Sequence, residues 1–188
     1  FCEDDRIPSV LLAYQGGMEG GAAVAALLTG RTNPCGKLPD TFARDLSDYP
    51  STAHFHDSPH YVEYSEDIYV GYRYFETLPG AAERVCYPFG YGLSYTSFAL
   101  ETAEAGAEDG RIRVAVRVTN TGNCPGREVV QLYYSAPWGL LQKPVRCLGA
   151  FQKTRLLEPG ERETVELSFA IADMAGIQHP FCRLYNRG

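Results

Sequence analysis

The apolar positions fall into two textures that change near residue 98. Before it, residues 7–14 (IPSVLLAY) form a short unbroken apolar run rich in branched side chains, the length of a buried strand. A glycine-rich turn, Gln15-Gly16-Gly17-Met18-Glu19-Gly20-Gly21, interrupts it, and residues 22–29 (AAVAALLT) then read as a helix stopped by Gly30. Strand, glycine loop and helix make a β-α unit. Residues 43–76 are polar and aromatic without a helical period and read as loop, with a strand over 68–75 where branched and aromatic residues flank Gly71. After residue 98 the period drops to two. Ile112, Val114, Val116 and Val118 alternate with polar or small neighbours, predicting a strand over 111–119 with one buried face. Asn120-Thr121-Gly122-Asn123 predicts a turn, with 128–134 running back; further strands are expected at 148–154 and 164–169, separated by the turn Glu158-Pro159-Gly160-Glu161. Such strands between Gly/Pro turns predict an antiparallel sandwich.

Between the two textures lies Tyr87-Pro88-Phe89-Gly90-Tyr91-Gly92-Leu93-Ser94-Tyr95-Thr96-Ser97-Phe98. Its aromatics supply enough apolar surface to pin a turn-rich segment, and Gly90 and Gly92 are both expected to hold backbone angles that a side chain would strain.

Composition narrows the function classes. With 188 residues, 45% of them hydrophobic, the chain can bury a core. The net charge is −6 and no Lys/Arg cluster occurs, which argues against a nucleic-acid groove and towards a neutral small-molecule partner. No apolar run is long enough to span a membrane as a helix, and Phe1-Cys2-Glu3-Asp4-Asp5 lacks signal-peptide regions; the run that follows reads as the interior of a domain. Cysteines 2, 35, 86, 124, 147 and 182 show neither C-x-x-C nor zinc spacing; their even number leaves disulfides open, and the favoured expectation is buried free thiols in a reducing, cytoplasmic compartment over a secreted one. The glycines of the 15–21 turn do not form a phosphate-binding spacing, which excludes nucleotide binding on this motif.

Three blocks in order resemble glycoside hydrolase family 3, the β-glucosidase and β-xylosidase family. The first comprises Gly17, Glu19, Gly20 and Gly21, then Gly30, Asn33, Pro34, Gly36, Lys37, Leu38, Pro39, Thr41 and Phe42, with Gly16 where the family usually has proline. Tyr64-Ser65-Glu66-Asp67-Ile68-Tyr69-Val70-Gly71-Tyr72-Arg73-Tyr74-Phe75 is the second, and the 87–98 segment the third. Downstream, Val118-Thr119-Asn120-Thr121-Gly122, Glu128-Val129-Val130-Gln131-Leu132-Tyr133, Leu148-Gly149-Ala150-Phe151 and Leu157-Glu158-Pro159-Gly160-Glu161 match the family's fibronectin type III-like domain.

The resemblance implies an α/β plus all-β fold: residues 1–92 as the tail of the family's α/β sandwich domain, and 93–188 as an incomplete fibronectin type III-like, immunoglobulin-like β-sandwich. It implies a retaining, exo-acting β-glycosidase as the parent, acting on terminal β-linked glucose, with β-xyloside the alternative substrate, and needing neither metal nor cofactor. Retention requires two carboxyls about 5–5.5 Å apart. The family takes its aspartate nucleophile from a separate barrel and its acid/base from upstream of residue 7, so no catalytic residue is assigned here and the fragment is expected to be inactive. A non-catalytic carbohydrate-binding or structural module is the alternative reading.

The substrate-cleft candidates are Met18 and Glu19 in the glycine loop and Glu63, Tyr64 and Glu66 in the long loop, where carboxylates bind hydroxyls and aromatics stack on sugar faces. Glu19 also reads as a helix N-terminal carboxylate accepting backbone N–H bonds. His54, His56 and His60 read as exposed loop histidines, no metal site being assigned. Two strands of the family sandwich have no counterpart after residue 169. The expectation is therefore an open sandwich, with Val114, Val116, Val118, Val130 and Leu132 uncovered and self-association through its edge, unless residues 180–185 fold back as a substitute strand.

Overall fold

The structure, a computed structural model, describes residues 6–137, 139 and 141–175. Helix α1 spans Gly20–Leu28 and ends as expected: Gly30, at φ +71°, donates its N–H to the Leu27 carbonyl at 3.0 Å. Residues 7–14, however, form no strand and lie exposed among the described residues. An apolar strand of a parallel sheet owes its extended ladder to neighbours, and no described residue pairs with this run.

A short antiparallel pair, β1 (Phe42–Ala43) with β2 (Val85–Tyr87), brackets the loop region. The strand expected over 68–75 is instead helix α2, Tyr72–Thr77, entered through Gly71 at φ +61°. Packing overrides propensity here. A helix puts Tyr72 and Phe75 on one side, where Phe75 is buried edge-on to Tyr49 (centroids 5.7 Å) and Tyr72 stacks on Phe89 at 4.7 Å.

The C-terminal half is a two-layer sandwich. One sheet has the order β3-β4-β7, with β3 Phe98–Glu108, β4 Arg111–Asn120 and β7 Arg162–Ala170; the other pairs β5 (Val129–Tyr134) with β6 (Cys147–Lys153). The expected run-back of 128–134 along β4 is corrected: β4 pairs β3 and β7, and the chain crosses to the other layer before β5. Strand β3 was not anticipated, since its sequence LETAEAGAE has little β-branched content and its side chains are exposed along almost the whole edge. Its hairpin signal was nevertheless present in Asp109-Gly110, both at positive φ and flanked by the pair Glu108↔Arg111.

Between the layers, Val116, Val118, Val130, Leu157, Val165 and Leu167 form the core, with Val114 and Leu132 packed against it. The valine face expected to stand uncovered is therefore covered, because the β5-β6 sheet closes over it. Residues 180–185 lie outside the described residues. The 87–98 segment fastens the two halves as expected. Gly90 holds the expected left-handed backbone at φ +79°, where a Cβ would also run into the Gln131 amide; Gly92 corrects the expectation, since its φ is not positive and its need is one of space, a Cβ there colliding with the Gly36 carbonyl oxygen.

Candidate functional site

Two side chains of the first block lock the α/β-like half to the sandwich. Asn33 accepts from the Ser94 hydroxyl (2.9 Å) and the Tyr95 N–H (2.8 Å), and its Nδ2 donates to the Pro125 carbonyl at 2.9 Å. Lys37 Nζ donates to the Gly92 carbonyl at 2.9 Å and pairs with Glu128 at 2.9 Å, both side chains being largely buried. On the other flank the Tyr72 hydroxyl accepts the Leu148 N–H at the start of β6 (2.7 Å), and Glu76 pairs with Arg146 at 3.1 Å. A half-buried ion pair framed by hydrogen bonds fixes orientation more than it adds stability. The loops on the α/β side are thus held on a rigid base.

Helix α2 and the loop before it form one wall of a cleft, and the extended stretch Pro39–Phe42 forms the other. It has two lobes. One, of about 330 Å³, is lined by Asp40, Thr41, Phe42, Tyr49, Glu66 and Gly71. The adjoining lobe, about 300 Å³, shares Asp40, Val70 and Gly71 and continues to Tyr72, Arg73 and Phe89. Thr41 is only 4% exposed, and its Oγ1, sealed from solvent, has no hydrogen-bond partner among the described residues. Such a group costs about 1–3 kcal/mol when left unpaired. Tyr49 is engaged from beneath: its hydroxyl donates to the Thr41 carbonyl (2.9 Å) and accepts the Ala43 N–H (2.8 Å). Beside Arg73, a hydrogen bond to Tyr72 raises the guanidinium pKa further, so this wall stays cationic.

Of the five cleft candidates from the sequence, Glu66 reaches this cleft. Met18 is fully exposed at 102% and Tyr64 at 90%, and Glu19 and Glu63 also face solvent. Glu19 occupies the N-cap of α1 but its carboxylate makes no capping bond, which corrects the expected capping role; its carbonyl alone accepts, from Ala23 N–H at 2.9 Å. The local reason is an N-cap conformation, φ −90° and ψ 7°, outside the extended region that normally turns a capping side chain back onto the helix. Thr41 and Phe42 enter the sequence reading only as members of the first family block, and Asp40, between them and Pro39, does not enter it. The signal that marked them was the retained Leu-Pro-x-Thr-Phe block itself.

Of the loop histidines, His54 bonds Asp57 at 2.8 Å, and that hydrogen bond holds its pKa above the ordinary value. The described residues contain no group of three or more His, Cys, Asp or Glu side chains able to hold a metal. The thiol expectation is corrected at one position: Cys86 is disulfide-bonded, while Cys35, Cys124 and Cys147 are free and half-buried. Whether a bridge forms depends on the geometry of two thiols rather than on whether the core needs one.

The sequence pattern of the glycosyl hydrolase family 3 C-terminal domain matches residues 1–95, and that of the fibronectin type III-like domain matches 128–178. The chain belongs to glycosyl hydrolase family 3. It is 57% identical to "Beta-glucosidase A" of Butyrivibrio fibrisolvens over 93% of its own length and 23% of that protein's. Among solved structures, the β-glucosidase of Paenibacillus barengoltzii superposes with a TM-score of 0.80 at 54% identity, over 86% of this chain and 18% of that one. Thermotoga neapolitana β-glucosidase 3B in complex with glucose gives 0.81 at 48% identity, over 88% and 23%. The chain thus spans about a fifth of the length of the relatives it matches. A family 3 tail joined to a fibronectin type III-like sandwich accounts for the change of texture near residue 98.

Proposed function

We propose that this chain is the C-terminal part of a retaining, exo-acting β-glucosidase that removes terminal β-linked glucose, and that it supports catalysis without performing it. Residues 1–92 would complete the α/β sandwich domain and 93–188 form the fibronectin type III-like domain. The observation that carries the reading is the exposed apolar run 7–14, which forms no strand among the described residues, followed by the apolar helix α1, a unit with no buried residue in its helix. Such a unit needs other strands and helices of an α/β layer against it. The high identity to β-glucosidases several times longer supports the rest of that layer, and the nucleophile-bearing barrel, being supplied by other sequence. In that setting Met18 and Glu19, and Glu63 and Tyr64, present exposed groups towards the sugar cleft.

Two measurements test this. The isolated chain is expected to show no turnover of nitrophenyl β-glucoside. Grafted in place of the corresponding segment of the Butyrivibrio relative, it is expected to restore hydrolysis with retention of anomeric configuration. Turnover by the isolated chain that disappears when one of its own carboxylates is neutralised, or a folded but inactive graft, would overturn the proposal.

A further inference from the structure

Helix α2 and the turn that leads into it are held by one stretch of the sandwich, the connection from β5 into β6. The Tyr69 hydroxyl donates to Gln142 Oε1 at 3.3 Å, and Thr77 Oγ1 accepts the Val145 N–H at 3.0 Å. Glu76 pairs with Arg146 at 3.1 Å, and the Tyr72 hydroxyl accepts the Leu148 N–H at 2.7 Å. The stretch is braced on its own side. Ser135 Oγ donates to the Val145 carbonyl at 2.7 Å, closing the connection on itself, and Lys143 Nζ donates to the Met174 carbonyl at 2.9 Å, beyond the end of β7.

Residues 61–70 have little of their own to fix them. Among the described residues their side chains make one hydrogen bond, that of Tyr69, and their backbone adds the turn bond from the Tyr69 N–H to the Glu66 carbonyl at 2.8 Å. The six-residue helix that follows is too short to hold its place unaided. Exposure decides what the outer contacts are for. Gln142 is exposed, and the Arg146 and Glu76 side chains are 55% and 30% exposed, so this hydrogen bond and ion pair add little stability. The two halves are in any case joined on the other flank by Asn33 and by the Lys37–Glu128 pair. Weak contacts at one end of a loop still select among the positions it can take.

We infer, resting on the reading above that Glu63 and Tyr64 face the sugar cleft, that the β5–β6 connection is a clamp that positions the loop 61–70 for substrate, with Gln142 and Arg146 as positioning residues that do not touch the sugar. Glu63 and Tyr64 lie six and five residues before Tyr69, so anchoring that ring and the helix behind it fixes the trailing end of the segment that carries them. A loop already held in its binding position loses less freedom when substrate arrives. In that reading the chain supplies no catalytic carboxylate. Loss of the clamp therefore weakens substrate and transition state alike, raising KM and leaving kcat in place.

The test uses Gln142→Leu, Arg146→Ala and the double variant, with Gln142→Glu, which keeps the acceptor for Tyr69, as the conservative rescue. In the 188-residue chain, amide hydrogen exchange over 61–77 is expected to quicken at least about threefold in the double variant while β4 stays as protected as in the parent. In the graft with the Butyrivibrio relative, KM for nitrophenyl β-glucoside is expected to rise about threefold in each single variant and about tenfold in the double one. There kcat is expected to stay within about twofold, and Gln142→Glu to recover the parent KM. Exchange over 61–77 that does not respond, exchange that quickens equally in β4, or a fall in kcat at constant KM would each overturn the clamp. An active graft whose KM ignores the variants removes the clamp and leaves the β-glucosidase reading standing. A parent graft that folds but is inactive removes that reading and, with it, the role of the clamp in substrate binding.

Discussion

Asn120 is fully buried and uses every polar atom of its amide. Nδ2 donates to the carbonyls of Cys124 and Leu157, each at 2.9 Å, while Oδ1 accepts from the Thr96 hydroxyl at 2.7 Å and the Gly122 N–H at 3.1 Å. One side chain therefore ties the linker, the end of β4, the turn after it and the Leu157 bridge of the core. Asn120→Ala leaves several of these groups unpaired in a place water does not reach, at about 1–3 kcal/mol each. The expected loss is about 3 kcal/mol or more, read as a lower urea midpoint at unchanged m-value. A midpoint shift worth less than about 1 kcal/mol would show that the amide is not the knot described here. Gly90 and Gly92, neighbours in sequence, are required for different reasons: the first for its left-handed backbone and its contact with Gln131, the second solely for its approach to Gly36.

Among the elements, β5 carries the titrating group that is most perturbed. Tyr133 packs edge-on to Tyr72 at 5.9 Å and donates its hydroxyl hydrogen to Gln131 Oε1 at 2.8 Å. Burial first, then the proximity of Tyr72 and Glu76, pushes its pKa up to about 12 from 10.0. The neutral phenol is the form the fold favours. Its contribution is therefore fully present below pH 10.0, the unfolded value, and is lost as pH rises through about 12. Thermal melts across that window are expected to fall more steeply for the parent chain than for Tyr133→Phe, and the difference in phenolate absorbance between the two should titrate near the upper end. Parallel melting curves would place Tyr133 in contact with water. Helix α2 gives the second lesson at this scale, because Gly71 and the two inward aromatics turned a run of strand-favouring residues into a helix.

For the whole molecule, the N-terminal run carries consecutive exposed apolar side chains, while the valine face of the sandwich is covered. Ile7, Val10, Leu11 and Leu12 are 42–52% exposed and Leu28 is 69% exposed, whereas Val116, Val118 and Val130 are at most 9% exposed. The long free edge of the sandwich, β3, carries Glu101, Glu104 and Glu108, and its register shifts between Thr102 and Glu104. Charged side chains and an irregular register both discourage strand addition. We propose that any self-association of the chain runs through its N-terminal run. Sedimentation is expected to show concentration-dependent association that Val10→Lys combined with Leu12→Lys reduces and that Leu100→Lys on β3 leaves unchanged. The opposite pattern would return association to the sandwich edge.

What the sequence determined by itself was the set of elements whose signal is local. The two-residue alternation of 112–118, the helix-stopping Gly30 and the turn at 158–161 all depend on neighbours within a few residues, and each stands in the structure. So did the division into an α/β-like and an all-β half, since hydrophobic period is a property of the chain before it folds. Tertiary structure decided what depends on a distant partner. It placed β5 opposite β4 in the other layer rather than beside it, because two apolar faces are covered by stacking sheets and not by widening one. It made an acidic, alanine-rich segment into β3 because the ladder of β4 offered hydrogen bonds that propensity does not count, and it made 72–77 helical so that Tyr72 and Phe75 could reach Phe89 and Tyr49. The cleft belongs to the same class. Asp40 and Thr41 on one wall are 25 or more residues from Glu66 on the other, and only the packing of the loop region within the first half brings them to one cleft.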